Sequence, residues 1–107
     1  MQLADARLLL SAAYLDGRWQ AADDGQSLPV CDPASGQEIA CVPLMGAAET
    51  ARAIDAAARA LPAWQARTVK ERAAILRGWF ELIVGNGEDL AQLITAECGK
   101  PLAEARG

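Results

Sequence analysis

From Ala47 to Glu97 apolar residues recur at spacings of three and four, interrupted near Pro62 and at Gly85-Asn86-Gly87. That is the period of a helix face, not of a strand. Ala47, Ala51, Ile54, Ala58 and Leu61 mark one face of a first helix, ending near Pro62. Thr68 followed by Glu71 fits a capping box. From there Val69, Ala73, Leu76, Phe80 and Ile83 form a second stripe, widened by Ile75, Trp79 and Leu82. Glu88 and Asp89 suit the positive first turn of a third helix, whose face runs through Leu90, Leu93, Ile94 and Glu97. Gly99 is placed as a left-handed stop. Pro101 then suits the first position of a fourth helix, which runs out at Gly107.

Residues 14–45 have a different texture. Asp16-Gly17 lies between Tyr14-Leu15 and Arg18-Trp19, a two-residue hairpin turn in which both positions take positive φ. A second turn is expected at Asp23-Asp24-Gly25. Residues 27–31 read as a strand, with Pro29 at an edge because proline cannot donate to a ladder. Asp32-Pro33-Ala34-Ser35-Gly36 is a turn, and residues 38–44 form the return strand. The fold class is an α+β fragment: antiparallel β-hairpins, then three helices and a truncated fourth. It divides into an N-terminal extension (1–13), a hairpin region (14–45) and a helical region (46–107).

With 107 residues and a net charge of -4, the chain suits one small domain or part of a larger one. Many of its apolar residues are alanine, so the core is expected to lean on Trp19, Trp64, Trp79 and Phe80. No basic stripe is present to meet nucleic-acid phosphates, and no apolar run approaches the ~20 residues of a membrane span. Leu8-Leu9-Leu10 lacks the basic flank of a signal peptide; a cytoplasmic protein is expected. Three cysteines and no histidine point to reduced thiols and remove every histidine-based triad, zinc site and general base.

Several strings fall in a familiar order. Tyr14-Leu15-Asp16-Gly17-Arg18-Trp19 resembles an aromatic-x-x-Gly-x-Trp hairpin, and residues 32–36 resemble an Asn-Pro-Ala-Thr-Gly turn with Asp in the first place. Ala60-Leu61-Pro62-Ala63-Trp64, Glu71-Arg72-Ala73-x-Ile75-Leu76 and Glu97-x-Gly99-Lys100-Pro101 follow. Together they resemble the N-terminal segment of the aldehyde dehydrogenases, an α/β fold of which this would be one part. Val42-Pro43-Leu44-Met45-Gly46, Arg77-x-Trp79-Phe80 and Gly99-Lys100-Pro101-Leu102-Ala103-Glu104-Ala105 are similar to the NADP-preferring succinate-semialdehyde group.

The resemblance implies oxidation of an aldehyde to its acid with NADP or NAD in the parent enzyme. A cysteine thiolate would attack the aldehyde, hydride would pass to the nicotinamide, and a glutamate would activate water. The family places those residues, and its dinucleotide glycines, downstream of this segment. No Gly-x-Gly-x-x-Gly loop occurs here, so no catalytic or cofactor-binding residue, and no cofactor bound by this chain alone, is expected. The partners implied are the remainder of the parent enzyme or further copies in a homo-oligomer. The rival is a stand-alone helical module that self-associates without catalysis.

Cys98 is the tempting nucleophile, but a helix C-terminus disfavours a thiolate. Cys31 and Cys41 read as small buried hydrophobes. Some family members hold a monovalent cation near the position of Glu97, with backbone carbonyls as the other ligands. Mapped here, the set is Val30, Cys31 and Glu97, all oxygen donors. Lys100 reads as a helix-end cation, the tryptophans as packing anchors, and the stripe on 69–83 as core or subunit contact. Arg52, Arg59, Arg67, Lys70, Arg72 and Arg77 read as a solvated face.

Overall fold

The computed structural model describes residues 1–107. Two separate two-stranded antiparallel sheets precede four helices. Strands β1 (Ala13–Leu15) and β2 (Arg18–Gln20) pair with Tyr14 opposite Trp19. Asp16 and Gly17 between them both have positive φ, 51° and 78°, the turn the Asp-Gly pair implies. The Tyr14 and Trp19 rings meet edge to face, centroids 5.0 Å apart. A tight turn at 22–25 closes on Gly25 N–H donating to the Ala22 carbonyl. Strand β3 (Ser27–Cys31) pairs with β4 (Glu38–Pro43), with a register shift between Val30 and Cys31. Pro29 sits in this two-stranded ribbon, where every strand is an edge.

Helix α1 covers Ala47–Gln65, α2 Val69–Gly85, α3 Gly87–Cys98 and α4 Leu102–Ala105. The capping box at Thr68 and Glu71 forms: Thr68 N–H donates to the Glu71 carboxylate at 2.8 Å and Glu71 N–H to the Thr68 hydroxyl at 3.3 Å. Asn86 alone separates α2 from α3. Gly99 ends α3 at φ 71°.

Two helix boundaries differ from expectation. Pro62 lies inside α1, which continues to Gln65; a proline near a helix end removes one N–H without stopping the last turn. Pro101 caps α4 in an extended conformation instead of occupying its first turn.

The core also differs. Only Ala22, Ala56, Ala91, Glu49 and Asp89 are buried. Trp19, Trp79 and Phe80 are each more than half exposed, so the large side chains do not anchor a core within this chain. The stripe expected to bury α1 faces outward: Ile54 is 64% and Leu61 49% exposed. Ala56, on another face, lies against the β1–β2 hairpin in a cleft shared with Leu15 and Asp16. Alanine on every side of α1 let the few larger residues fix the wrong face. No helix is long and apolar enough to cross a membrane.

Candidate functional site

The C-terminal end of α3 lies against the turn at 32–36. A Cβ at Gly99 would stand 3.2 Å from Pro33 Cγ. Beside that contact is an open cavity of about 380 Å³, lined in part by Met1, Asp32, Gln92, Thr95 and Leu102. The Thr95 hydroxyl is buried there without a hydrogen-bond partner. Asp32 is held below the usual carboxylate range by the Ala34 N–H, 2.8 Å away, and then by Ser35.

Val30 and Cys31 end the strand leading into this turn, at the point where the ladder loses register. Glu97 is the last residue but one of α3, exposed, its carboxylate free of hydrogen bonds and ion pairs. Nowhere in the chain do three His, Cys, Asp or Glu side chains gather as a metal-holding group; the donors proposed from sequence are two carbonyls and one carboxylate.

The thiols are set up as donors. Cys98 donates to the Ile94 carbonyl at 2.9 Å, an i to i−4 bond within the helix. Cys41 donates to the Glu38 carboxylate at 3.1 Å, which together with partial burial pushes its thiol above the ordinary range. Cys31 is exposed and Cys41 half-buried, which corrects the expectation that both are buried: a two-stranded ribbon has no second layer to cover them. The one carboxylate beside a thiol, Glu38 at Cys41, raises that thiol's pKa and so works against making it a nucleophile.

A second cleft, about 400 Å³, lies between the β1–β2 hairpin and α1, with Arg18, Arg52, Arg59, Asp16 and Asp55 on its walls. Arg52 pairs with Asp23 at 2.7 Å and Arg59 with Asp16 at 3.4 Å. The two pairs join α1 to the turns at 16–17 and 22–25, and all four side chains stay exposed, in keeping with a solvated face. Open to solvent and largely internally paired, the cleft offers no reacting group.

Two structural carboxylates escaped the sequence reading. Glu49 accepts N–H bonds from Asp23 and Gly46, both at 3.1 Å. Asp89 accepts from Ala4 at 2.9 Å and Asp5 at 2.8 Å, which pins the N-terminal segment to α3. An acid in a helix first turn reads as a dipole partner, and the sequence gives no hint that it reaches a distant backbone.

Across all these features the side chains organise backbone and leave reaction chemistry unsupplied. A model of the aldehyde dehydrogenase family matches residues 19–107. The chain belongs to the aldehyde dehydrogenase family. It is 59% identical over its whole length to the glutarate-semialdehyde dehydrogenase of Pseudomonas putida (strain KT2440). It is 53% identical to the NADP(+) succinate-semialdehyde dehydrogenase of Escherichia coli (strain K12). The chain spans 22% of the length of each of these curated relatives. The crystal structure of succinate-semialdehyde dehydrogenase from Burkholderia pseudomallei superposes with a TM-score of 0.96 at 54% identity, covering all of this chain and 22% of that one. The hairpins and helices are therefore the N-terminal part of an aldehyde dehydrogenase fold.

Proposed function

We propose that this chain supplies the N-terminal portion of an NAD(P)-dependent aldehyde dehydrogenase, a cytoplasmic homo-oligomer. The enzyme oxidises a small aldehyde carrying an anionic group, succinate semialdehyde or a near homologue, to its acid. The superposition over the whole chain at a TM-score of 0.96 carries this reading. Support for the substrate class comes from the relatives' names, which include glutarate-, succinate- and aspartate-semialdehyde and 3-sulfolactaldehyde dehydrogenases. All four aldehydes bear a carboxylate or sulfonate. Within the enzyme this portion acts as scaffold: its thiols are unactivated and it has no phosphate-binding loop.

In the same enzyme a monovalent cation is held by the carbonyls of Val30 and Cys31 and the carboxylate of Glu97. The break in ladder register at Val30/Cys31 supports this, since such an irregularity re-aims backbone groups, as does the unpaired Glu97 carboxylate.

The test is a graft. These 107 residues replace the matching N-terminal portion of the E. coli relative, and NADPH formation from succinate semialdehyde is followed. An active graft is expected, with potassium raising its thermal midpoint, an effect lost in Glu97→Gln. A graft that is unfolded or inactive sinks the functional reading. An active graft indifferent to potassium removes only the cation site.

A further inference from the structure

Helix α2 has no buried residue. Its apolar side chains nevertheless span roughly 200° of the helix circumference at about 100° per residue. That is about twice the stripe with which a helix lies on one surface. Val69, Leu76, Trp79, Phe80 and Ile83 are 46% to 73% exposed. Arg72 stands near the middle of this arc, one turn from Val69 and from Leu76. Its Nε is shut off from solvent and has no hydrogen-bond partner. The chain forms five ion pairs and none involves Arg72. A guanidinium in an apolar patch needs an acceptor once the patch is covered.

We infer that the α2 arc docks against the remainder of an aldehyde dehydrogenase chain, on a surface that is apolar except for one carboxylate placed to meet Arg72. The inference rests on the functional reading above and adds the chemistry of the covering surface. The occupant follows from the superposition: α2 has the conformation it has in a solved relative, and the greater part of that relative's chain lies outside the match. A second copy is a poor occupant. A two-fold contact places the same surface on both sides, and the arc carries no acid, so Arg72 would face apolar groups or another Arg72.

Arg72→Met is made in the graft and in the isolated chain, with Lys70→Met, on the polar side of α2, as control. In the graft, Arg72→Met should speed thermal inactivation at least about tenfold, because it strands a buried carboxylate, while Lys70→Met leaves the rate unchanged. In the isolated chain Arg72→Met should cost no helicity, since its Nε has no partner to lose. A Met variant that fails to fold in the graft yet keeps its helicity when isolated is the same result in stronger form. Arg72→Lys, which keeps the charge without the planar fork, should inactivate more slowly than Arg72→Met. The inference is overturned if, in an active graft, Arg72→Met matches Lys70→Met or Arg72→Lys is as poor as Arg72→Met. A stable dimer of the isolated chain that Arg72→Met splits would make a second copy the occupant and also overturn it. An inactive unmutated graft, by contrast, fails at the functional reading.

Discussion

Glu49 joins the first helix to the hairpin region. Its carboxylate is buried at the start of α1 and accepts N–H bonds from Asp23 and Gly46. Three backbone N–H groups, its own first and then those of Asp23 and Gly46, hold its carboxyl below the ordinary value of 4.5. The folded chain thus keeps the charge to lower pH than the unfolded chain does. The resulting stabilisation is fully present above pH 4.5 and is lost as pH falls through the lower folded value. In Glu49→Gln that titration is gone. The variant should be less stable at neutral pH, and its thermal midpoint should fall less steeply than the parent's below pH 4.5. Parallel acid limbs in the two melting curves would show that Glu49 is not the group responsible. Asp89 plays the corresponding part for the N-terminal segment, where its two oxygens take the N–H groups of Ala4 and Asp5.

At the scale of elements, local rules account for the starts and stops. The Thr68 hydroxyl and Glu71 carboxylate close the box at the head of α2, and both residues are exposed, so nothing but the cap depends on the hydroxyl. Thr68→Ala should cost about 1 kcal/mol of helix stability, and Thr68→Ser little, as read from thermal loss of helical circular dichroism. Equal midpoints for Thr68→Ala and the parent would show that packing, not capping, fixes the start of α2. The turn at Asp16-Gly17 and the left-handed Gly99 were legible in the sequence for the same reason: each depends on the φ preference of one or two residues. The break at Gly85-Asn86-Gly87 was legible from composition alone, since Asn86 interrupts the helices at an ordinary φ of -107° and both glycines are helical. Faces were less legible. Ile54 and Leu61 are the large aliphatic residues of α1, yet the contact with the hairpin uses Ala56, which cannot be told in the sequence from the alanines elsewhere on the helix. The thiols were half legible. The absence of histidine removes an imidazole to activate them, but the exposure of Cys31 and Cys41 depends on which layers cover a two-stranded ribbon, and that is a property of tertiary structure alone.

For the molecule as a whole, the area exposed is the decisive quantity. A compact monomer of 11.3 kDa has about 5,700 Å² of accessible surface. This chain has 7910 Å², more than a third in excess. Its radius of gyration is 16.7 Å, against about 13 Å for a compact domain of this length. Three alanines make its whole apolar core. The excess is also one-sided in chemistry, since Trp19, Trp79, Phe80, Leu82 and Val84 are all more than half exposed. Patches of this kind mark surfaces meant to be covered. A self-associating module would cover them by forming one discrete oligomer; part of a larger fold would leave them open. The chain on its own should therefore bind a hydrophobic dye strongly and elute as a broad, concentration-dependent distribution in size-exclusion chromatography. It should also give no saturable NADPH fluorescence titration, since its sequence contains no Gly-x-Gly-x-x-Gly string to form a pyrophosphate loop. A single dye-silent dimer would favour the self-associating module, and micromolar NADPH binding would give the chain a cofactor role of its own. Covering the same patches in the graft should abolish dye binding while restoring NADPH binding, because only the larger fold brings both the missing layer and the missing loop.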